Sequence, residues 1–170
     1  MTDGDFIEGK LFGLKRYDAK KTTSRGDKMV SAVLIDENGE YNAKAWKESY
    51  ENCLGVKEGD EVIVPTWTFA ATAQVVEWIG AKLILCDIDA QSLNIDVDKA
   101  EKLITDKTKV IMPVHIAGYP CDMEKIASLA KKYNLKVVED AAHAIGTKYN
   151  GIKIGNFSDL TCFSFYATKI

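Results

Sequence analysis

The chain has 170 residues, 46% of them hydrophobic and 28% charged, with a formal net charge of −3. Such values fit a soluble globular polypeptide of one domain or two small ones, and they argue against wholesale nucleic-acid binding while leaving room for a local basic face. No apolar run reaches membrane-spanning length and no basic start leads into an apolar stretch, so a cytoplasmic protein without membrane contact is expected.

Residues 1–58 read as β-rich. Residues 6–17 suit a first strand, with Gly9 and Gly13 permitting strong bending. Residues 18–27 are polar and basic without apolar periodicity, and a loop is expected there. Residues 28–35 are rich in β-branched side chains, and Asp36-Glu37-Asn38-Gly39 supplies turn chemistry, since Asn and Gly tolerate positive φ. Residues 41–46 then alternate apolar and polar, as a returning strand with one wet face should.

Beyond Gly59-Asp60 the pattern changes to strands alternating with helices. Strands are expected at 61–65, 82–87, 110–114, 135–138 and 160–165. Helices are expected at about 69–79, closed by Gly80, at 96–104, capped by Asp96, and at 123–133, where Ile126, Leu129 and Ala130 share a face. Asn150-Gly151 reads as the turn of a small hairpin, and Gly118-Tyr119-Pro120 as another turn. Alternation of this kind predicts an α/β fold with a mainly parallel sheet covered on both faces, whose ligand sits beyond the carboxyl ends of the strands. Asp87, His115 and Asp140 fall at those ends; Asp87 and His115 are read as structural, or as supports behind a site.

The four cysteines, Cys53, Cys86, Cys121 and Cys162, show no CxxC or CxxH spacing. Buried free thiols are expected, with neither disulfides nor a metal site. One further arrangement carries chemistry. Asp140 ends one apolar strand, and Ser164 and Lys169 follow a later one. A lysine amine can form a Schiff base with the aldehyde of pyridoxal 5′-phosphate, and a carboxylate can hold its pyridine nitrogen protonated. By itself this spacing is weak, because a lysine after an aromatic run is more often a solvated surface cation.

From Gly55 to Ile170 the chain resembles the DegT/StrS-type, pyridoxal-phosphate-dependent sugar aminotransferases. The blocks that carry the resemblance are residues 59–72, 80–81 leading into 86–89, 113–123, 139–144 and 163–169. The resemblance implies that Lys169 is the catalytic Schiff-base lysine and proton shuttle. It implies that Asp140 pairs with the pyridine nitrogen, that His143 lies near the phenolic oxygen and that Ser164 donates to the phosphate. Phe69 would stack on the ring, with Trp67 the neighbouring candidate. The blander readings are a strand-end cap for Asp140, a satisfied core histidine for His143, a backbone-bonded serine for Ser164 and core packing for Phe69 and Trp67. As substrates the family implies a nucleotide-linked keto sugar and an amino donor such as glutamate, in amino sugar biosynthesis, and as assembly a homodimer.

Two departures from that family are visible. Its Gly-Thr-rich turn ahead of the strand at Glu61, which opens a phosphate-gripping helix, is missing: residues 46–54 run directly into 55–60. The chain also stops at Ile170, so a partial large domain over residues 59–170 is expected. Residues 1–58 are similar instead to the first strands of an OB-fold nucleic-acid-binding domain, with Lys15, Arg16, Lys20, Lys21 and Arg25 placed to track single-stranded phosphates. The competing reading there is a solvated loop with core aromatics. For the whole chain, the alternative to an aminotransferase is a fusion or fragment without transaminase activity, whose OB-like segment binds nucleic acid.

Overall fold

The computed structural model describes residues 56–166 in full and, ahead of them, the strand assignments of residues 11–22, 28–36 and 39–46. The first sheet is antiparallel, with β1 (Leu11–Thr22), β2 (Lys28–Asp36) and β3 (Gly39–Trp46) in chain order. Asp36 lies opposite Gly39, so the β2–β3 return is a hairpin at the expected place. The first strand corrects the expectation. Residues 18–22 belong to β1, paired through Asp18↔Ser31, Lys21↔Met29 and Thr22↔Lys28, with a register shift between Asp18 and Lys21. A ladder depends on a partner strand, and a bulge lets a polar, non-alternating stretch join one, which periodicity alone does not disclose. Lys15, Arg16, Lys20 and Lys21 therefore sit on a strand; Arg25 and residues 6–10 lie outside the described residues.

The second sheet has the order β10-β7-β6-β4-β5 and is parallel throughout. Its strands are β4 (Glu61–Pro65), β5 (Lys82–Cys86), β6 (Thr108–Ile111), β7 (Lys136–Ala141) and β10 (Leu160–Phe163). Between them run α1 (Ala70–Trp78), α2 (Val97–Lys102) and α3 (Met123–Tyr133). The small antiparallel pair β8 (Lys148–Tyr149) and β9 (Ile152–Lys153) is joined by Asn150 and Gly151, both at positive φ. That is the conformation for which Asn-Gly is selected.

Side-chain alternation splits the core into two layers. Val62, Val64, Val110 and Val138 face α1 and pack with Val76. Ile63, Ile111 and Val137 face the other way, toward Met123, Ile126 and Leu129 of α3 and Ala100 of α2. Neighbouring residues on a strand point to opposite faces, so a strand buried on both sides must be apolar at every position. β4 is buried along its whole length, apolar at residues 62–65 and with the Glu61 carboxylate held by Lys82 and Thr105.

Local chemistry sets the helix ends. The Asp96 carboxylate accepts from the backbone N–H of Asp98 and Lys99 and opens α2, which ends at Lys102, two residues short of the expected limit. Asp122 caps α3 through Lys125 N–H, and Asn134 ends it in the left-handed region at φ 54°. Of the cysteines, Cys86 and Cys121 are buried free thiols as expected, whereas Cys162 is exposed. Cys162 lies on β10, which has a strand neighbour on one side only among the described residues, so an apolar neighbourhood in sequence did not become a covered one in space. No described helix is long and apolar enough to cross a membrane.

Candidate active site

The carboxyl ends of β4, β6, β7 and β10 all open onto one side of the sheet. Beyond β4, Thr66 N–H donates to Cys86 O, and the chain turns through Trp67 and Thr68 into α1. Beyond β6 the pairing with β7 continues irregularly: Asp140 N–H donates to Pro113 O and His115 N–H to Asp140 O. A short 3₁₀ turn (Ile116–Gly118) follows, with Ala117 and Gly118 at φ 49° and 81°. A Cβ on Gly118 would stand 2.8 Å from the carbonyl oxygen of His143. Only glycine lets this turn lie so close to the segment that follows β7. The buried Asn94 side chain braces the turn, accepting from Ile116 N–H and donating to Tyr119 O, each at 3.1 Å.

Glu139 and Asp140 are adjacent, so strand alternation sends their carboxylates to opposite faces. Glu139 points to the α3 side and is fully buried. It takes hydrogen bonds from His115 Nε2 at 2.8 Å, from Thr161 Oγ1 at 2.9 Å and from the Ser158 hydroxyl. His115 accepts from Cys121 N–H at Nδ1, which leaves the ring proton on Nε2, directed at Glu139. Burial pushes the Glu139 carboxyl up, but the hydrogen bonds from His115, Ser158 and Thr161 together outweigh it and hold the group below its ordinary 4.5. The histidine thus has both ring nitrogens hydrogen-bonded in a buried position, and it also borders the cavity at the strand ends.

Asp140 points to the α1 side. Its Oδ1 accepts from Ala142 N–H at 3.1 Å and its Oδ2 from Thr72 Oγ1 at 2.6 Å. With both oxygens accepting, the carboxylate is anchored rather than free to rotate. It lies at the wall of a cavity of about 550 Å³, within the range typical of small-molecule sites. That cavity gathers four of the expected residues: Phe69, Asp140, His143 and Ser164. Phe69 is 79% exposed, unusual for so large an apolar ring, and His143 is also exposed.

Trp67 is exposed but does not line the cavity, and Lys169 lies outside the described residues. Asp87 is exposed and paired with Lys99 at 3.2 Å, away from the cavity. Residues that sequence reasoning passed over are Thr68 and Thr72, which reach Asp140 in series, and Tyr166, which lines the cavity. The spacing of Thr68 and Thr72, four apart at a helix start, was a usable signal. Among the described residues, no group of three or more His, Cys, Asp or Glu side chains could hold a metal ion.

A parallel α/β domain with helices on both faces of its sheet and a ligand-sized cavity at its strand ends is the class that this fold and site define. The chain belongs to the DegT/DnrJ/EryC1/StrS aminotransferase family, whose family model matches residues 43–170, a span that begins within β3 and includes Lys169. Among curated relatives it is 49% identical over 116 residues to GDP-perosamine synthase of Escherichia coli O157:H7, covering 68% of this chain and 32% of that protein. It is 47% identical over 116 residues to UDP-N-acetyl-3-dehydro-alpha-D-glucosamine 3-aminotransferase of Acidithiobacillus ferrooxidans, covering 68% of this chain and 31% of that protein. Among solved structures it is similar to Bacillus subtilis NtdA with bound cofactor PMP, at TM-score 0.59 and 42% identity, covering 65% of this chain and 25% of that one. The chain thus spans about a third of the length of the curated relatives it matches.

Proposed function

We propose that this chain forms part of a pyridoxal-phosphate-dependent aminotransferase that transfers an amino group to a nucleotide-linked keto sugar. The observation that carries the reading is the single cavity joining Phe69, Asp140, His143 and Ser164 at the strand ends. The family, and the sugar-nucleotide relatives within it, supply the reaction class.

The residues fit the cofactor. A carboxylate anchored at both oxygens is the partner a protonated pyridine nitrogen needs, and an exposed flat ring is the surface on which an aromatic cofactor stacks. When bound, pyridoxal phosphate supplies an aldehyde and an electron-accepting ring. Asp140 keeps the proton on the ring nitrogen. Phe69 covers one face of the ring and excludes water from it. Ser164 donates its hydroxyl to the phosphate, and His143 hydrogen-bonds the phenolic oxygen. Lys169 would supply the amine that holds the aldehyde and the Nζ at which a proton is carried. Trp67 is assigned a supporting role beside Phe69. Glutamate as amino donor, a homodimer and a cytoplasmic location complete the proposal.

Incubation with pyridoxal phosphate, borohydride reduction and peptide mapping test it. Label concentrated on Lys169 supports the assignment; equal labelling of surface lysines, or no label at all, removes it.

The antiparallel β1-β2-β3 meander favours a second reading for the segment ahead of residue 59, a separate OB-like unit that binds single-stranded nucleic acid. Lys15, Arg16, Lys20, Lys21 and Arg25 are its phosphate contacts in that reading. An oligonucleotide titration settles this: a flat response even at low ionic strength eliminates it. A chain with this binding and no transamination would match the fusion alternative.

A further inference from the structure

We infer that Thr72 is a positioning residue that acts through Asp140, and that Thr68 sets the direction of its hydroxyl. The inference rests on the cofactor reading above. Thr72 is 4% exposed and sits in the first turn of α1, on the stripe that Val76 continues into the core. Its Oγ1 donates to Asp140 Oδ2 at 2.6 Å across 68 residues of sequence. Thr68 Oγ1 in turn donates to Thr72 Oγ1 at 2.8 Å.

The direction of this chain of protons matters. A helical threonine hydroxyl has a local competitor, the carbonyl oxygen one turn earlier, to which it often donates. Here the Thr72 oxygen receives the Thr68 proton, and its own single proton is committed to the carboxylate. Asp140 Oδ1 is meanwhile held by Ala142 N–H. Two donors on different elements thus fix the plane of the carboxylate at the cavity wall. An anion held in that way presents its remaining lone pairs in one direction, the preorganised arrangement for stabilising a cation such as a protonated ring nitrogen. Neither threonine needs to touch the reacting atoms.

The test uses the full chain and two probes: pyridoxal phosphate, and its carbon analogue in which C–H replaces the ring nitrogen. Both are titrated by absorbance or fluorescence. The parent should prefer pyridoxal phosphate, because only that probe engages Asp140. Thr72→Val keeps the shape of the side chain and removes its donor, so the preference should fall roughly tenfold, the scale set by one hydrogen bond to a charged group. Thr72→Ser should retain it. Loss of affinity for both probes in parallel would mean that Thr72 serves packing alone, and it would overturn the inference. So would an unchanged preference in Thr72→Val, which leaves the Asp140 assignment standing. A parent without preference, or without binding, removes the Asp140 reading and this inference with it.

Discussion

Replacing His115 by leucine probes the buried pair behind the site. The substitution removes the Nε2–H donor to Glu139 and the Nδ1 acceptor for Cys121 N–H, leaving similar bulk in a fully enclosed position. Losing a hydrogen bond to a buried charge costs about 1.5–3 kcal/mol, and stranding a buried backbone N–H costs about 1–3 kcal/mol more. A destabilisation of about 2.5–6 kcal/mol follows, a large share of a typical domain's stability. Thermal and urea unfolding followed by circular dichroism measure it, and the midpoint should fall by about 10 °C. Acid supplies an internal control. In the parent, Glu139 is held below 4.5, so its ionised form contributes stability above that value, lost as the pH falls through the folded-state value. In the variant, burial works against a weaker set of hydrogen bonds, so protonating Glu139 relieves the strain. The gap between parent and variant should therefore narrow from neutral pH to about pH 4. A loss below about 1 kcal/mol, or a gap that ignores pH, would refute the account of Glu139 and His115 as a mutually dependent pair.

Asp140→Asn keeps an acceptor for Ala142 N–H but removes the charge, so pyridoxal phosphate affinity should drop by about 10- to 100-fold in a direct titration, with the unfolding midpoint little changed. Gly118→Ala forces a side chain at positive φ against the His143 carbonyl, and a loss of about 1–3 kcal/mol in urea unfolding is expected. Wild-type stability in that variant would show that the turn and the His143 segment are not in register. Iodoacetamide labelling followed by peptide mapping should modify Cys162 ahead of Cys86 and Cys121. Burial holds the Cys86 thiol at about 11 and pushes Cys121 up as well, with nearby carboxylates adding to both. Faster reaction at either buried thiol would contradict the packing.

Much of the α/β half was readable from sequence because its signals are local. The run of residues 62–65 is apolar enough to demand burial on both faces, and α3 carries its cap, its apolar face and its left-handed Asn134 terminus within thirteen residues. The candidate site was readable for a different reason: several short blocks at family spacing named Phe69, Asp140, His143 and Ser164, and all four line one cavity. Trp67, the neighbouring candidate to Phe69, does not line it.

Sequence alone determined the alternation of strands and helices, the capped helix ends and the types of residue available for chemistry, since periodicity, capping and turn formation act between near neighbours. Which strand lies beside which was decided only in three dimensions. The order β10-β7-β6-β4-β5, the pairing of residues 18–22 into β1 and the exposure of Cys162 each depend on which strand comes to lie alongside. The same holds for the division of labour between Glu139 and Asp140. Strand geometry sends them to opposite faces, but His115 on one side and Thr72 on the other decide that one carboxylate supports the strand and the other faces the site.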